Sequence, residues 1–294
     1  MQHLIETDDF ELKEILSILD DAKRFKKERV NPVALLRDKL LFTLFFENST
    51  RTRSSFEVAA KKLGAAVVHL DPTRSSTNKG ESIEDTFANL GAMDPDGIII
   101  RHEDNDIARK LADMNLASVI NAGAGNRAHP TQALLDLFTL KEHFGELEGK
   151  KVAIIGDIAN SRVASSLLLL LPRFGVELKL VAPKPFMPQE ASCEKYENIA
   201  DIIDDIDAII SLRAQLERHK KPIFDDYSTY ASHYCITEEI LDNRDIIVMH
   251  PGPVMRNIDI SDEVLSDSRC KVLTQVNNGV YVRMAVLKKL LIDS

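Results

Sequence analysis

The sequence has little cysteine. Cys193, Cys235 and Cys270 stand far apart along 294 residues, and an odd, scattered set builds neither a disulfide framework nor a zinc cluster. A reducing, cytoplasmic setting fits that usage, and no metal site is expected. Long apolar runs are also missing. The longest uninterrupted aliphatic stretch, residues 167–171, falls far short of the roughly 20 residues that cross a bilayer. The opening Met1-Gln2-His3-Leu4-Ile5-Glu6 lacks the basic flank and apolar core of a secretory signal. Positive charge is in deficit. The 37 Lys and Arg against 46 Asp and Glu give a formal charge of -9, which argues against a nucleic-acid partner but leaves room for a local cationic pocket. The three-glycine dinucleotide fingerprint is absent after the strand candidate that ends in Gly156-Asp157, which speaks against a nicotinamide enzyme. There is no internal repeat and no low-complexity tract.

What is present is an alternation. Short apolar runs at 40–46, 66–70, 97–100, 117–120, 152–155, 178–181, 208–210 and 246–249 read as strands, and amphipathic stretches of helical length separate most of them. Such alternation predicts α/β architecture, with doubly wound parallel sheets and helices on both faces. Leu12, Ile15, Leu16 and Leu19 predict a first helix capped by Thr7 or Asp8. Val280, Met284, Leu287 and Leu291 predict an amphipathic terminal helix. The length suits two domains, and the helical stretch at 131–143 places the division between residues 1–130 and 131–277.

Ligands of open parallel sheets bind beyond the carboxyl ends of strands, so the residues following each run are candidate site residues. Glu47-Asn48-Ser49-Thr50-Arg51-Thr52-Arg53 sits where a strand gives way to a helix. Unsatisfied N–H groups and the helix dipole favour an anion there. Three hydroxyls and two guanidiniums suit a phosphate. The plainer reading is a capped helix with exposed arginines. Further strand ends carry Arg101-His102, Asn121-Ala122-Gly123-Ala124-Gly125, Ser161-Arg162, Arg213-Ala214-Gln215 and His250-Pro251-Gly252-Pro253. Arg51, Arg101, Arg162 and Arg213 thus recur after four strands in an acidic chain, which implies a polyanionic small ligand. His129 precedes a helix opened by Pro130 and could donate to a ligand oxygen, or simply cap that helix. Gln132 falls in its first turn. The polar stretch from Arg74 to Glu81, with Ser75 and Lys79, reads as an exposed loop, functional or merely solvated.

Together these motifs resemble the aspartate/ornithine carbamoyltransferase family. Ser49-Thr50-Arg51-Thr52-Arg53 is similar to its carbamoyl-phosphate signature, and His129-Pro130-Thr131-Gln132 to its second signature. Ser75 and Lys79-Gly80-Glu81 resemble the mobile loop of the aspartate branch. Arg162, Arg213-Ala214-Gln215 and His250-Pro251-Gly252-Pro253 resemble its amino-acid-binding elements. The match runs in order over nearly the whole chain. The ornithine branch carries cysteine in the second signature and in the last loop, where this sequence has Thr131 and Pro251. Many members have Leu where Gly252 stands, followed by Pro-Arg; here the arginine is displaced to Arg256.

The resemblance implies transfer of the carbamoyl group from carbamoyl phosphate to L-aspartate, an early step of pyrimidine synthesis, without a cofactor. It implies that the terminal helix, 278–294, folds back to complete the first, carbamoyl-phosphate-binding domain, and that the second binds aspartate. It also implies a homotrimer with shared active sites, to which a regulatory chain or a dihydroorotase could bind. On this carry-over Ser49, Thr50, Arg51, Thr52 and Arg101 hold the phosphate and His129 donates to the carbonyl oxygen. Gln132 and the carbonyls of Pro251 and Gly252 face the carbamoyl amide. Ser75 and Lys79 arrive from a neighbouring subunit, and Arg162, Arg213 and Gln215, with Lys79, bind aspartate. Glu47 pairs with Arg162 and Arg218 as the domains close. Two other readings stay open: a carbamoyltransferase for another amino acid, and a non-catalytic scaffold of a pyrimidine-pathway complex.

Overall fold

In the computed structural model, which describes residues 2–28, 35–70, 82–214, 224 and 226–293, apolar residues three and four apart form α1 (Leu12–Glu28). Its buried face is Ile15, Ile18, Leu19, Ala22 and Phe25. Neither Thr7 nor Asp8 caps it. Both lie in a separate 3-10 turn, Thr7–Asp9, closed by Asp9 Oδ2, which accepts from the N–H groups of Ile5 and Glu6 at 2.6 and 2.9 Å. The start of α1 is held by Glu14, whose carboxylate accepts from the Glu11 N–H at 2.9 Å.

The chain divides into two units, Met1–Phe138 with Val276–Ser294, and Thr139–Gln275. After α1 the first unit contains β1 (Leu40–Phe45), α2 (Thr50–Lys62), β2 (Ala66–Leu70), α3 (Ile83–Gly91), β3 (Gly97–His102), α4 (Ile107–Asp113), β4 (Ser118–Ala124) and the start of α5 (Pro130–Phe144). Its strands are all parallel, in the order β2-β1-β3-β4. Leu41, Phe42, Leu44, Ile98, Ile99, Ile100, Val119 and Ile120 are all buried, as expected of strands covered on both faces. β3 and β4 run further than their apolar runs. Phe45 pairs with Arg101, and Ile100 with Asn121. Backbone pairing does not depend on side-chain polarity, so the hydrophobic pattern marks the strand centre and not its end.

The second unit holds β5 (Lys151–Ile155), α6 (Arg162–Leu170), β6 (Glu177–Val181), β7 (Glu194–Tyr196), β8 (Ala208–Ser211), α7 (Tyr227–Tyr234), α8 (Glu238–Leu241), β9 (Ile247–Met249), α9 (Asp262–Ser266) and the start of α10 (Val272–Leu291). The parallel order is β7-β6-β5-β8-β9. The apolar runs omit β7, a three-residue edge strand, Glu-Lys-Tyr, with no buried residue. Most of α10 belongs to the first unit. It is tied to α1 by Lys288–Asp21 and Lys289–Glu14, both at 2.9 Å, and by Lys26 donating to Asn278 at 2.7 Å.

The two sheets share a construction that the sequence conceals. Lys39 Nζ and the Leu40 N–H both donate to Asp96, at 2.7 and 2.8 Å. Lys150 Nζ and the Lys151 N–H both donate to Asp207, each at 2.8 Å. The Lys–Asp separation is 57 residues in both units. The strand registers recur with the same spacing: Leu40 with Ala66 and Lys151 with Glu177, then Leu41 with Gly97 and Val152 with Ala208.

Candidate active site

In the first sheet the strand order reverses between β1 and β3, the position at which open parallel sheets bind ligands. Ser49-Thr50-Arg51-Thr52-Arg53 leaves β1 at this point and opens α2. Ser49 is the residue before α2, and its side chain makes no capping hydrogen bond, so plain capping does not explain it. No acidic residue stands in the first turn of α2, and helix geometry leaves the N–H groups of that turn without intrahelical acceptors. Thr52 is buried and Arg51 exposed. Desolvation by the surrounding protein lowers the Arg51 pKa, but an arginine so shifted remains a cation.

Arg101 lies at the end of the adjacent strand, opposite Phe45. Its Nε donates to Glu47 Oε2 at 3.0 Å, and its Nη1 to the Ala122 carbonyl at 3.4 Å. Glu47 is therefore a partner of Arg101, a pairing that the sequence reading, with its Arg162 and Arg218, does not include. His129, 5% exposed, is the residue before α5, and its carbonyl accepts from the N–H groups of Gln132 and Ala133 at 3.0 and 3.2 Å. Gln132 is buried in the first turn. Its Nε2 donates to Asp136 Oδ1 at 3.0 Å.

The second sheet reverses between β5 and β8, and its two arginines follow those strands. Ser161 caps α6, accepting from the Ala164 N–H at 3.2 Å. Arg162 is the first helical residue and is half-buried. Arg213, also half-buried, follows β8. Gly156 lets the two strand ends approach. Its φ is +119°, and a Cβ there would lie 2.6 Å from the Leu212 carbonyl oxygen.

The turn after β9 is organised by a buried pair. His250 Nε2 lies 3.1 Å from Asp259 Oδ2, both side chains fully buried, and His250 Nδ1 accepts from the Gly252 N–H at 2.8 Å. With Nδ1 accepting, Nε2 is the donor to the carboxylate. Asp259 also accepts from the Met255 N–H at 2.8 Å and the Ala214 N–H at 3.3 Å. One carboxylate thus ties the residue beside Arg213 to the turn holding Pro251 and Gly252. Gly252 has φ +72°, where a leucine would be strained. Arg256 is on the surface, paired with Asp262.

Ser75, Lys79, Gln215 and Arg218 lie outside the described residues. Among the described residues, no group of three or more His, Cys, Asp or Glu could hold a metal ion, and no helix is long and apolar enough to cross a membrane. The sequence reading missed Asp136 and Asp259. Asp136 stands four residues after Gln132 on a helix, a readable spacing, whereas nothing in the sequence around Asp259 marks it.

The family model for the carbamoyl-P binding domain of aspartate/ornithine carbamoyltransferases matches residues 2–142, and that for the Asp/Orn binding domain matches residues 148–290. The aspartate carbamoyltransferase catalytic subunit of Sulfurovum sp. (strain NBC37-1) is 69% identical, over 100% of this chain and 99% of its own. The catalytic subunit of M. jannaschii aspartate transcarbamoylase superposes with a TM-score of 0.90 at 36% identity, covering 100% of this chain and 99% of that one. The Trypanosoma cruzi aspartate transcarbamoylase, solved in complex with N-(phosphonacetyl)-L-aspartic acid, gives a TM-score of 0.91 at 30% identity, covering 99% and 96%. With both halves matched and such identity over the full length, the chain belongs to the aspartate/ornithine carbamoyltransferase family.

Proposed function

We propose that the chain transfers the carbamoyl group of carbamoyl phosphate to the amine of L-aspartate, releasing N-carbamoyl-L-aspartate and phosphate, an early step of pyrimidine synthesis. One observation carries this reading. Each sheet has an arginine at or just beyond the carboxyl ends of the strands on both sides of its reversal point: Arg51 and Arg101 in one, Arg162 and Arg213 in the other. One substrate brings a phosphate and the other two carboxylates, the anions that guanidiniums recognise. The relatives' names support the choice. The molecule bound to the Trypanosoma cruzi enzyme joins a phosphonate to aspartate.

In this reading Ser49, Thr50, Arg51, Thr52 and Arg101 bind the phosphate. Attack of the aspartate amine creates an oxyanion on the carbamoyl carbon. His129, Arg51 and Thr52 stabilise it, and the phosphate leaves. Donors fixed before the reaction lower the barrier without a covalent intermediate. A phosphate oxygen accepts the amine proton. Gln132, with the carbonyls of Pro251 and Gly252, holds the carbamoyl amide. Arg162, Arg213 and Gln215 bind the aspartate carboxylates. Ser75 and Lys79 serve the site of an adjacent subunit in a homotrimer, and Glu47 exchanges arginine partners, with Arg162 and Arg218 among them, during the catalytic cycle. A cytoplasmic location is consistent with three free thiols.

A colorimetric assay for carbamoyl amino acids, run on the purified chain, tests the reaction. Product is expected with aspartate and not with ornithine. The reverse would move the chain to the ornithine branch, and no product with either would favour the scaffold. Arg213→Lys is expected to raise the aspartate KM about tenfold or more, the scale of a lost charge-assisted hydrogen bond, with carbamoyl phosphate binding nearly intact. If carbamoyl phosphate affinity fell and the aspartate KM held, the two anion sites would have to be exchanged.

A further inference from the structure

We propose that Asp136 is a positioning residue that fixes which end of the Gln132 amide meets the substrate. The inference rests on the reading that Gln132 holds the carbamoyl amide. Gln132 and Asp136 stand one turn apart on α5, neighbours on one helix face, with exposures of 7% and 0%. The hydrogen bond between them is 3.0 Å long. A carboxylate only accepts, so it takes the NH2 end of the amide, and the planar group turns its Oε1 away. An acceptor is what the carbamoyl NH2 requires. An amide turned round would set donor against donor, losing one hydrogen bond and leaving a polar group unsatisfied.

The carboxylate has a cation nearby. Arg283 on α10 is 3% exposed. Burial lowers its pKa to about 10, with the Asp136 charge opposing that fall, so it stays cationic at neutral pH. Its guanidinium lies 5.0 Å from the ring centroid of Phe56, and Nη1 donates to Ser55 Oγ at 2.9 Å. Both residues are on α2, the helix opened by the 49–53 motif. Gly279 gives the guanidinium its space, since a Cβ there would lie 2.5 Å from Nη1 and 3.1 Å from Leu135 Cδ2. Burying opposite charges often costs more than their attraction returns, so Asp136 and Arg283 need a reason other than stability. Setting the orientation of an amide in the substrate site supplies one.

The test is binding of three ligands to the full chain: carbamoyl phosphate, acetyl phosphate, which has a methyl where the NH2 stands, and inorganic phosphate. Asp136→Asn offers Gln132 either end of an amide. It is expected to weaken carbamoyl phosphate binding about tenfold, on the scale of one buried hydrogen bond, and to leave the other two unchanged. Asp136→Glu should recover part of the loss. Gln132→Ala should match Asp136→Asn. If Gln132→Ala kept the preference for carbamoyl over acetyl phosphate, the assignment of Gln132 would fall. If Gln132→Ala lost that preference and Asp136→Asn kept it, only the role of Asp136 would fall. Equal weakening of all three ligands by Asp136→Asn would make Asp136 structural and overturn the proposal. Should the variants fail to fold, neutron diffraction of the unaltered chain with phosphonoacetamide, a stable mimic that retains the NH2, decides. Deuterium on Gln132 Nε2 facing Asp136 is expected, and an amide turned round against a protonated Asp136 would refute the idea.

Discussion

Arg51→Ala is expected to lower kcat by at least ~10²-fold, the scale of losing one oxyanion donor. Arg51 is the second residue of α2 and is exposed. In the proposed reaction its charge adds to the N–H groups of that turn where negative charge would develop on the carbonyl oxygen and the departing phosphate. A cation placed there in advance needs no reorganisation during the reaction, so its loss appears in kcat more than in KM. The fold should survive, since an exposed substitution away from a packed core usually changes stability by no more than about 0.5 kcal/mol. Steady-state kinetics and thermal unfolding measure the two effects separately. A folded variant retaining more than roughly half of the wild-type activity would remove Arg51 from the mechanism.

Much of the fold was legible because parallel strands covered on both faces are apolar runs, and runs such as 40–46 and 152–155 lie close to the buried strands β1 and β5. The signal failed where burial is not what makes a strand. β7 has no buried residue and joins the sheet through its pairing with β6. Arg101 and His102 continue β3 because they pair with their neighbours and despite being polar. Thr7 and Asp8 looked like caps for α1, but the Asp9 carboxylate closes a separate turn before it. Local propensity cannot choose between two nearby starts when a neighbouring side chain decides.

The candidate site was legible only as residue types. Hydroxyls and guanidiniums after strands are visible in a sequence, whereas their partners are not. The bonds from Arg101 to Glu47 and from Ala214 to Asp259 span 54 and 45 residues, separations that no local pattern encodes. The doubled Lys–Asp clasp was hidden for a related reason. The Lys and Asp that pin the backbone recur 57 residues apart in both units, too sparse a pair to show as a repeat. In this frame Arg162 stands to its sheet much as Arg51 does to the other, at the start of the helix that follows the strand beside the reversal. One construction thus sets an arginine at the same point of both sheets.

Two sets of inactive chains should yield activity when mixed, if the sites are shared between subunits. Lys79 belongs to the polar stretch that resembles the mobile loop, and in the proposed trimer it serves the adjacent subunit, whereas Arg51 serves its own. Trimers made only of Lys79→Ala chains or only of Arg51→Ala chains should each be nearly inactive, because every site then lacks one cation for developing charge. In a mixed ring the interfaces are head to tail, so each has a direction. At one interface a Lys79→Ala chain supplies an intact Arg51 and its Arg51→Ala neighbour supplies an intact Lys79. That site carries no lesion, and the site built the other way round carries both. Roughly a third of the sites in each mixed trimer should therefore work, whichever chain is in the majority. Dissociating the parents, mixing, reassembling and separating hybrids by an added charge tag gives the measurement. Hybrids of verified composition with no activity above their parents would mean that each site is built by a single subunit, and Lys79 would then belong with Arg51 in one chain.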